Sequence, residues 1–235
     1  MFKKILIIIL CICSFSACSF KSNEIGPFLE YEMKEEYFEY STEDGLVYYC
    51  NKFVYPHFKG DSIVVTKLNK RYDEITDKLK EYKLDSNQID DVDKYCGIDC
   101  LPFYNDFSAE VTYNDKGYIS IYEIETKWSG GAHAYNDYYT ITMQISTGEE
   151  MTADHFIIGT DDERLQLSEK IREQEHIYTG EFDFYDNLYA LVPEGIRFYI
   201  WEGDAIPLYE ITIPYTDKKL SNISANKALK RMSNN

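Results

Sequence analysis

Side chains able to do chemistry crowd most densely between Trp128 and Asp137, where Ser129-Gly130-Gly131-Ala132-His133 is followed by Tyr135 and Asp137. Two adjacent glycines permit positive φ and close backbone approach, so the stretch can fold tightly at the end of the strand carrying Trp128. Two readings stay open. In one, His133, Tyr135, Asp137 and Trp128 surround a small recognition pocket shaped by Gly130 and Gly131. In the other, the turn is structural and His133 hydrogen-bonds a neighbouring backbone group.

Catalytic chemistry finds less support. Ser129 lies close to His133, but the strand-to-helix nucleophile elbow G-x-S-x-G is absent from the sequence. Asp90-Asp91 and Asp161-Asp162 offer carboxylate pairs of the glycosidase kind. Among 41 acidic residues such pairs arise by chance, and they read as loop charges and helix N-terminal acids. No P-loop, dinucleotide fingerprint or EF-hand loop occurs. The expectation is no catalytic set, no cofactor and no metal, with an enzyme acting through unrecognised residues as the competing reading.

Three cysteines lie beyond residue 18: Cys50, Cys96 and Cys100. In an oxidising compartment the Cys96-Gly97-Ile98-Asp99-Cys100 spacing favours a local disulfide, with Cys50 left as a buried thiol in a strand. A bridge from Cys50 to either of the others is the alternative. Zinc is a third reading, poorly supplied because no histidine or fourth thiol lies nearby.

The compartment follows from the N-terminus. Lys3-Lys4, the apolar run from Ile5 to Ile12 and the small residues after it form a secretory signal, too short an apolar stretch to span a bilayer comfortably. Phe15-Ser16-Ala17-Cys18 resembles the lipobox of bacterial lipoproteins, with Phe15 where leucine is usual. That resemblance implies acylation of Cys18 and a membrane partner reached through the lipid. An ordinary secretory signal is the alternative.

Residues 19–26 read as a tether. The formal charge is -17, and loss of Lys3 and Lys4 with the signal leaves -19. Such a surface repels nucleic acid and anionic headgroups and attracts cations or a basic protein, unless its acidity only keeps the domain soluble. An aromatic share of 16%, with 22 tyrosines, argues for a packed core rich in half-buried strands.

Several elements must position these groups. Runs rich in tyrosine, phenylalanine and valine predict strands over 28–40 and 46–55, broken at 41–45. Val64, Leu68, Tyr72, Ile75, Leu79 and Tyr82 recur at steps of three and four, which predicts one long helix over 61–84. Gly60, Asp61 and Ser62 supply its start, and Lys67, Lys70, Arg71, Asp73 and Glu74 read as a solvated face.

Residues 107–113 and 118–128 alternate around Asn114-Asp115-Lys116-Gly117 and predict a hairpin. A strand over 138–145 follows, then a shorter helix over 161–174 with Leu165, Leu167 and Ile171 toward a sheet. A hairpin of 188–192 and 196–201 and a strand over 209–215 close the pattern, Pro214 suggesting an edge. The fold class is α+β, with antiparallel β-sheets packed against one long and one shorter helix.

Tyr113-Asn114-Asp115-Lys116-Gly117-Tyr118, then Ser129-Gly130-Gly131-Ala132-His133, Tyr138-Tyr139-Thr140-Ile141 and Ser146-Thr147-Gly148-Glu149 resemble the DUF4163/DUF3298 pair of domains. The similarity continues through Pro193-Glu194-Gly195-Ile196 and Ile213-Pro214-Tyr215, and Tyr55-Pro56-His57-Phe58-Lys59-Gly60 fits the first domain. It implies subdomains over 27–112 and 113–220 with a polar tail over 221–235.

Such domains occur in exported bacterial proteins, among them the extracellular part of a lysozyme-sensing anti-sigma factor and the N-terminal region of a peptidoglycan deacetylase. Together with the signal ending at Cys18, the resemblance implies a lipid-anchored, extracytoplasmic envelope module. It would bind a protein, a peptide or a peptidoglycan fragment, with a cationic protein such as lysozyme as one candidate, while the net charge argues for no nucleic acid. The deacetylase's histidine pair four residues apart has no counterpart in His57, His133, His155 and His176. The loop 202–207 is shorter than is usual in the family.

Replacing the lipidation residue tests the anchor. In Cys18→Ala the protein is expected to leave the membrane fraction or keep its signal, because the acyl chains supply the membrane affinity. Fractionation and intact mass read the outcome, and unchanged processing and membrane association would contradict it.

Overall fold

The computed structural model describes residues 28–41, 45–81, 103–130, 133–157, 160, 162, 165, 166, 168, 169, 188–200 and 209–215. Among them run strands β1 (Tyr31–Ser41), β2 (Val47–Phe58), β3 (Phe103–Asp115), β4 (Tyr118–Trp128), β5 (Tyr135–Gln144) and β6 (Glu149–Glu150). Strands β7 (Leu188–Val192), β8 (Gly195–Ile200) and β9 (Tyr209–Pro214) follow, with helices α1 (Ile63–Glu81) and α2 (Ala153–Phe156). Strands β1 to β6 form one sheet in sequence order, and β7, β8 and β9 form a second. The architecture is α+β and mostly antiparallel, as expected.

One pairing departs from that expectation. β2 and β3 are parallel, with Tyr49 opposite Phe103 and Val54 opposite Ser108. Parallel neighbours need a long crossover, and α1 lies in the connection between these two strands. A helix followed by a strand does not by itself disclose the direction in which the strand returns.

The chain divides into two compact units, the first comprising Glu30–Glu110 with Glu123–Tyr138 and the second Val111–Tyr122 with Tyr139 onward. The predicted subdomain boundary at 112/113 falls inside β3.

In the first unit, burial along β3 alternates strictly from Phe103 to Glu110, odd residues buried and even ones open, and β2 alternates likewise from Tyr49 to Tyr55. The buried face packs on α1: Tyr72 stacks on Tyr55 with ring centroids 5.5 Å apart and meets Phe107 at 6.3 Å. Val64, Leu68, Tyr72 and Leu79 are all buried, as the helical periodicity predicts, and Ile75 is half-buried. Ser62 Oγ accepts weakly from Val65 N–H at the start of α1. The helix's last carbonyls, which have no partner within the helix, find donors in the sheet. Asn51 Nδ2 donates to Leu79 O at 3.2 Å and the Tyr40 hydroxyl to Lys80 O at 2.7 Å.

Arg71 corrects the reading of a wholly solvated helix face. Its Nε and Nη2 donate to the two oxygens of Glu123 at 3.1 and 2.6 Å, and Glu123 is fully buried. A buried carboxylate needs such a fork, and the pair ties α1 to β4. Burial, then the Glu123 charge, keeps the Tyr72 hydroxyl protonated far above its usual range.

The second unit packs a drier core of Phe156, Ile157, Leu191, Ile196, Phe198 and Ile213. Lys116 and Gly117, both with positive φ, close β3 onto β4 as the predicted hairpin, in the geometry that two-residue turns favour. Asn114 beside that turn accepts from Leu29 N–H at 2.9 Å and donates to Leu29 O at 2.7 Å, acting as a short strand of its own. Tyr122 and Tyr199 stack with centroids 4.2 Å apart. β9 with Pro214 forms an edge of the second sheet.

Residues 162, 165, 166, 168 and 169 are helical, within the predicted second helix, but Leu165 is 60% exposed and Ser168 is buried instead. The helix is therefore turned away from the expected phase at Leu165. Leu167 and Ile171 lie outside the described residues, as do Cys18, Cys96, Cys100, the loop 202–207 and the tail over 221–235. The four-residue α2, ending at Phe156, is too short for periodicity to reveal.

Gly195 begins β8, paired with Pro214 in β9, and a Cβ there would lie 2.1 Å from Ile213 O. Gly195→Ala must separate β8 from β9. It is expected to lower stability by about 1–3 kcal/mol in urea unfolding, and an unchanged midpoint would contradict this backbone contact.

Candidate functional site

The predicted ligand-binding candidates that the structure describes, Trp128, Gly130, His133, Tyr135 and Asp137, lie where β4 ends and β5 begins, at one end of the first unit. Buried Tyr49 of β2 and Phe103 of β3 form a small cluster on which Tyr40, Tyr48 and Trp128 pack. Trp128 meets Phe103 edge-on at 5.7 Å and lies nearly parallel to Tyr104, at 19° and 6.2 Å. Both Trp128 and Tyr104 are half-buried, so each keeps part of its ring toward solvent. Half-exposed rings with a polar atom at the rim can take an apolar or cationic surface and a hydrogen bond together.

Gly130 has a local steric cause. Its φ is +94°, and a Cβ built there would lie 3.1 Å from Phe103 Cε1. Only a residue without a side chain lets the backbone turn directly over the Phe103 ring. Gly131 lies outside the described residues. His133 is exposed, and Tyr135, at the start of β5, is 47% exposed.

Asp137 is held differently, by Lys127. The Lys127 ammonium donates to Asp137 Oδ2 at 2.9 Å and sits 3.1 Å from Glu125 Oε2. Glu125 in turn accepts from Asn105 Nδ2 at 2.9 Å. A polar line therefore runs from β3 through β4 to β5. Burial works against the Lys127 charge, but the hydrogen bonds and charges of Asp137 and Glu125 outweigh it and hold its pKa above the ordinary lysine value.

The structure thus joins Trp128 and Gly130 through Phe103, and fixes Asp137 through Lys127. Sequence reasoning missed Phe103, Tyr104, Tyr48 and Lys127. The tyrosine-rich ends of the first two strands were the available signal, but nothing local shows that β3 begins at Phe103 and brings its rings beside them.

Cys50, expected as a buried strand thiol, is a free thiol and only half-buried. It lies at an even position of β2, on the face away from α1. Burial raises its pKa, the Tyr37 hydroxyl lowers it, and the charges of Asp106 and Glu39 raise it further, for a net upward shift. Among the described residues no group of three or more His, Cys, Asp or Glu side chains gathers as a metal site.

Known proteins share this arrangement of strands. Residues 28–136 match the family model described as Deacetylase PdaC. A member of the DUF3298 family from Bacteroides fragilis has a TM-score of 0.63 at 17% identity, covering 90% of this chain and 100% of its own. A DUF3298 family protein from Pseudomonas aeruginosa PAO1 has a TM-score of 0.53 at 15% identity, covering 83% of this chain and 94% of its own. The chain has the DUF3298-type fold. No curated protein matches the chain in sequence.

Gly130→Ala tests the turn over Phe103. The side chain would face both an unfavourable φ and the ring, so a loss of about 1–3 kcal/mol is expected, with a change in the near-ultraviolet circular dichroism of the aromatic group. Unaltered stability and spectrum would show that the turn does not depend on glycine.

Proposed function

We propose that the chain is a non-catalytic, lipid-anchored module of the bacterial cell envelope that recognises an extracytoplasmic protein, peptide or cell-wall glycan. The observation that carries this reading is the half-exposed Tyr104–Trp128 pair, stacked at one end of a rigid sheet beside the glycine turn. Rings immobilised by packing present a recognition surface with little conformational entropy left to lose. The PdaC-type match supports the envelope setting, and the signal sequence with Cys18 supports export and anchoring. A basic protein such as lysozyme suits the net charge of -17, and a peptidoglycan fragment suits the rings equally.

Tryptophan fluorescence of the full chain, titrated with soluble peptidoglycan fragments, tests the reading, with lysozyme binding followed by calorimetry. At least one ligand is expected to bind saturably without a change in its mass. Trp128→Phe is expected to remove the fluorescence response and weaken binding several-fold, since Trp201 remains as an internal control. A ligand mass change would make the protein an enzyme, and absence of binding to either ligand class would overturn the proposal.

A further inference from the structure

The face of the first unit's sheet that turns away from α1 has a composition its fold does not require. It is displayed by the even positions of β2 and β3, from Tyr48 to Val54 and from Tyr104 to Glu110, all exposed or half-buried. Register adds alternate residues of β1, with Glu39 opposite Cys50, Tyr37 opposite Lys52 and Glu35 opposite Val54. Tyrosine, valine and methionine on this face are interleaved with four carboxylates: Glu35, Glu39, Asp106 and Glu110. The one base at these positions, Lys52, is held by Glu35 at 3.1 Å.

Two of the remaining acids are held by hydrogen bonds. Glu39 accepts from the Tyr37 hydroxyl at 2.7 Å, and Asp106 accepts from the Lys52 backbone N–H at 2.9 Å. Both hydrogen bonds orient a carboxylate without cancelling its charge. Their fields meet at Cys50, whose thiol both charges keep protonated against the Tyr37 hydrogen bond, burial adding most. Burial likewise raises the Asp106 pKa, with the Lys52 amide and ammonium opposing it. Glu110 reinforces burial in raising the pKa of Tyr31. Cys50 and Tyr31 thus each feel a nearby carboxylate in addition to burial, over an aromatic floor, whereas Asp106 feels burial and the opposing Lys52.

We propose that this face binds a cationic peptide segment, seating arginine or lysine side chains between Glu39 and Asp106 and against the rings of Tyr37 and Tyr104. Charge complementarity selects this occupant over a neutral one. A guanidinium takes a carboxylate at its edge and an aromatic ring on its plane, and alternate strand residues repeat that combination about every 7 Å. The Tyr104–Trp128 stack at the end of this face makes the peptide a specific ligand of the binding module read above, and the inference rests on that reading.

A fluorescein-labelled hexa-arginine peptide titrated into the full chain in detergent provides the test, with a hexamer of N-acetylglucosamine as the neutral arm. Saturable peptide binding that falls with salt is expected, and Glu39→Gln/Asp106→Asn should weaken it about tenfold, because both replacements keep an acceptor oxygen and remove only charge. Glu74→Gln/Asp77→Asn, which removes two exposed charges from α1, should change it less than twofold. Bound peptide should also slow alkylation of Cys50, read by peptide-resolved mass spectrometry.

Equal weakening in the two double variants, or no protection of Cys50, would show attraction to net charge alone and overturn the assignment. Binding of the saccharide without the peptide would make the surface a glycan site and equally overturn it. If the peptide fails while Trp128 fluorescence still answers peptidoglycan fragments, the face assignment falls and the module reading stands. If both fail, both fall.

Discussion

Two neighbouring strands that run the same way cannot be joined by a turn, and the parallel pairing of β2 with β3 governs the first unit for that reason. The chain must travel the length of the sheet and start again, and α1 lies in that journey. Once the helix packs against the sheet, the two faces have different tasks. Odd residues from Tyr49 to Tyr55 and from Phe103 to Ala109 are committed to the interior, so Phe53, Tyr55 and Phe107 are buried against the helix. Even residues from Tyr48 to Val54 and from Tyr104 to Glu110 are released from packing duty, and their polarity and aromatic content are free to vary. The same constraint places Phe103 beside Tyr49, which starts the aromatic group under Gly130.

The buried charge inside this interior is matched by an arginine from the helix. Arg71 is partly exposed, yet its guanidinium reaches down to a carboxylate with no access to water. Removing either partner alone would leave Glu123 stranded or a fork without its target, a far larger penalty than loss of a surface ion pair. Asn51 and Tyr40 do comparable work for the end of α1 by accepting the role of the missing next turn. The second unit relies on different means. Its core is aliphatic and aromatic, and Ser120 is its polar node, close to the Thr142 hydroxyl at 2.7 Å and accepting from Leu191 N–H at 3.0 Å.

What could be read from residues alone tracks how local the cause is. The face of α1 and the β3–β4 hairpin have causes within a few positions, a period of three to four and a turn that needs two positive φ angles, and both appear as expected. The start of β3 at Phe103 was hidden because the preceding stretch is acidic and carries a cysteine pair, with no alternation to extend. Leu165 reads as inward by its side chain, but tertiary context exposes it and buries Ser168. Trp128, Gly130 and Asp137 were legible as unusual neighbours, whereas their supports, Phe103 and Lys127, act through contacts between strands that no spacing in one strand announces. Arg71 looked solvated because its helical neighbours are.

β1 stands at the end of the six-stranded sheet. A terminal strand of that length is an invitation to polymerise, since its outer row of amides and carbonyls can template another strand. Its sequence, Tyr-Glu-Met-Lys-Glu-Glu-Tyr-Phe-Glu-Tyr-Ser, answers with four glutamates and a lysine. A second copy approaching in an antiparallel register would bring glutamate against glutamate along much of its length. Solubility at high local density is thus written into the margin of the sheet, and an exchange of Glu32, Glu35 and Glu39 for threonine would spare the contacts Glu36 makes with Tyr55 and Lys80 while removing most of the guard against fibrous self-association.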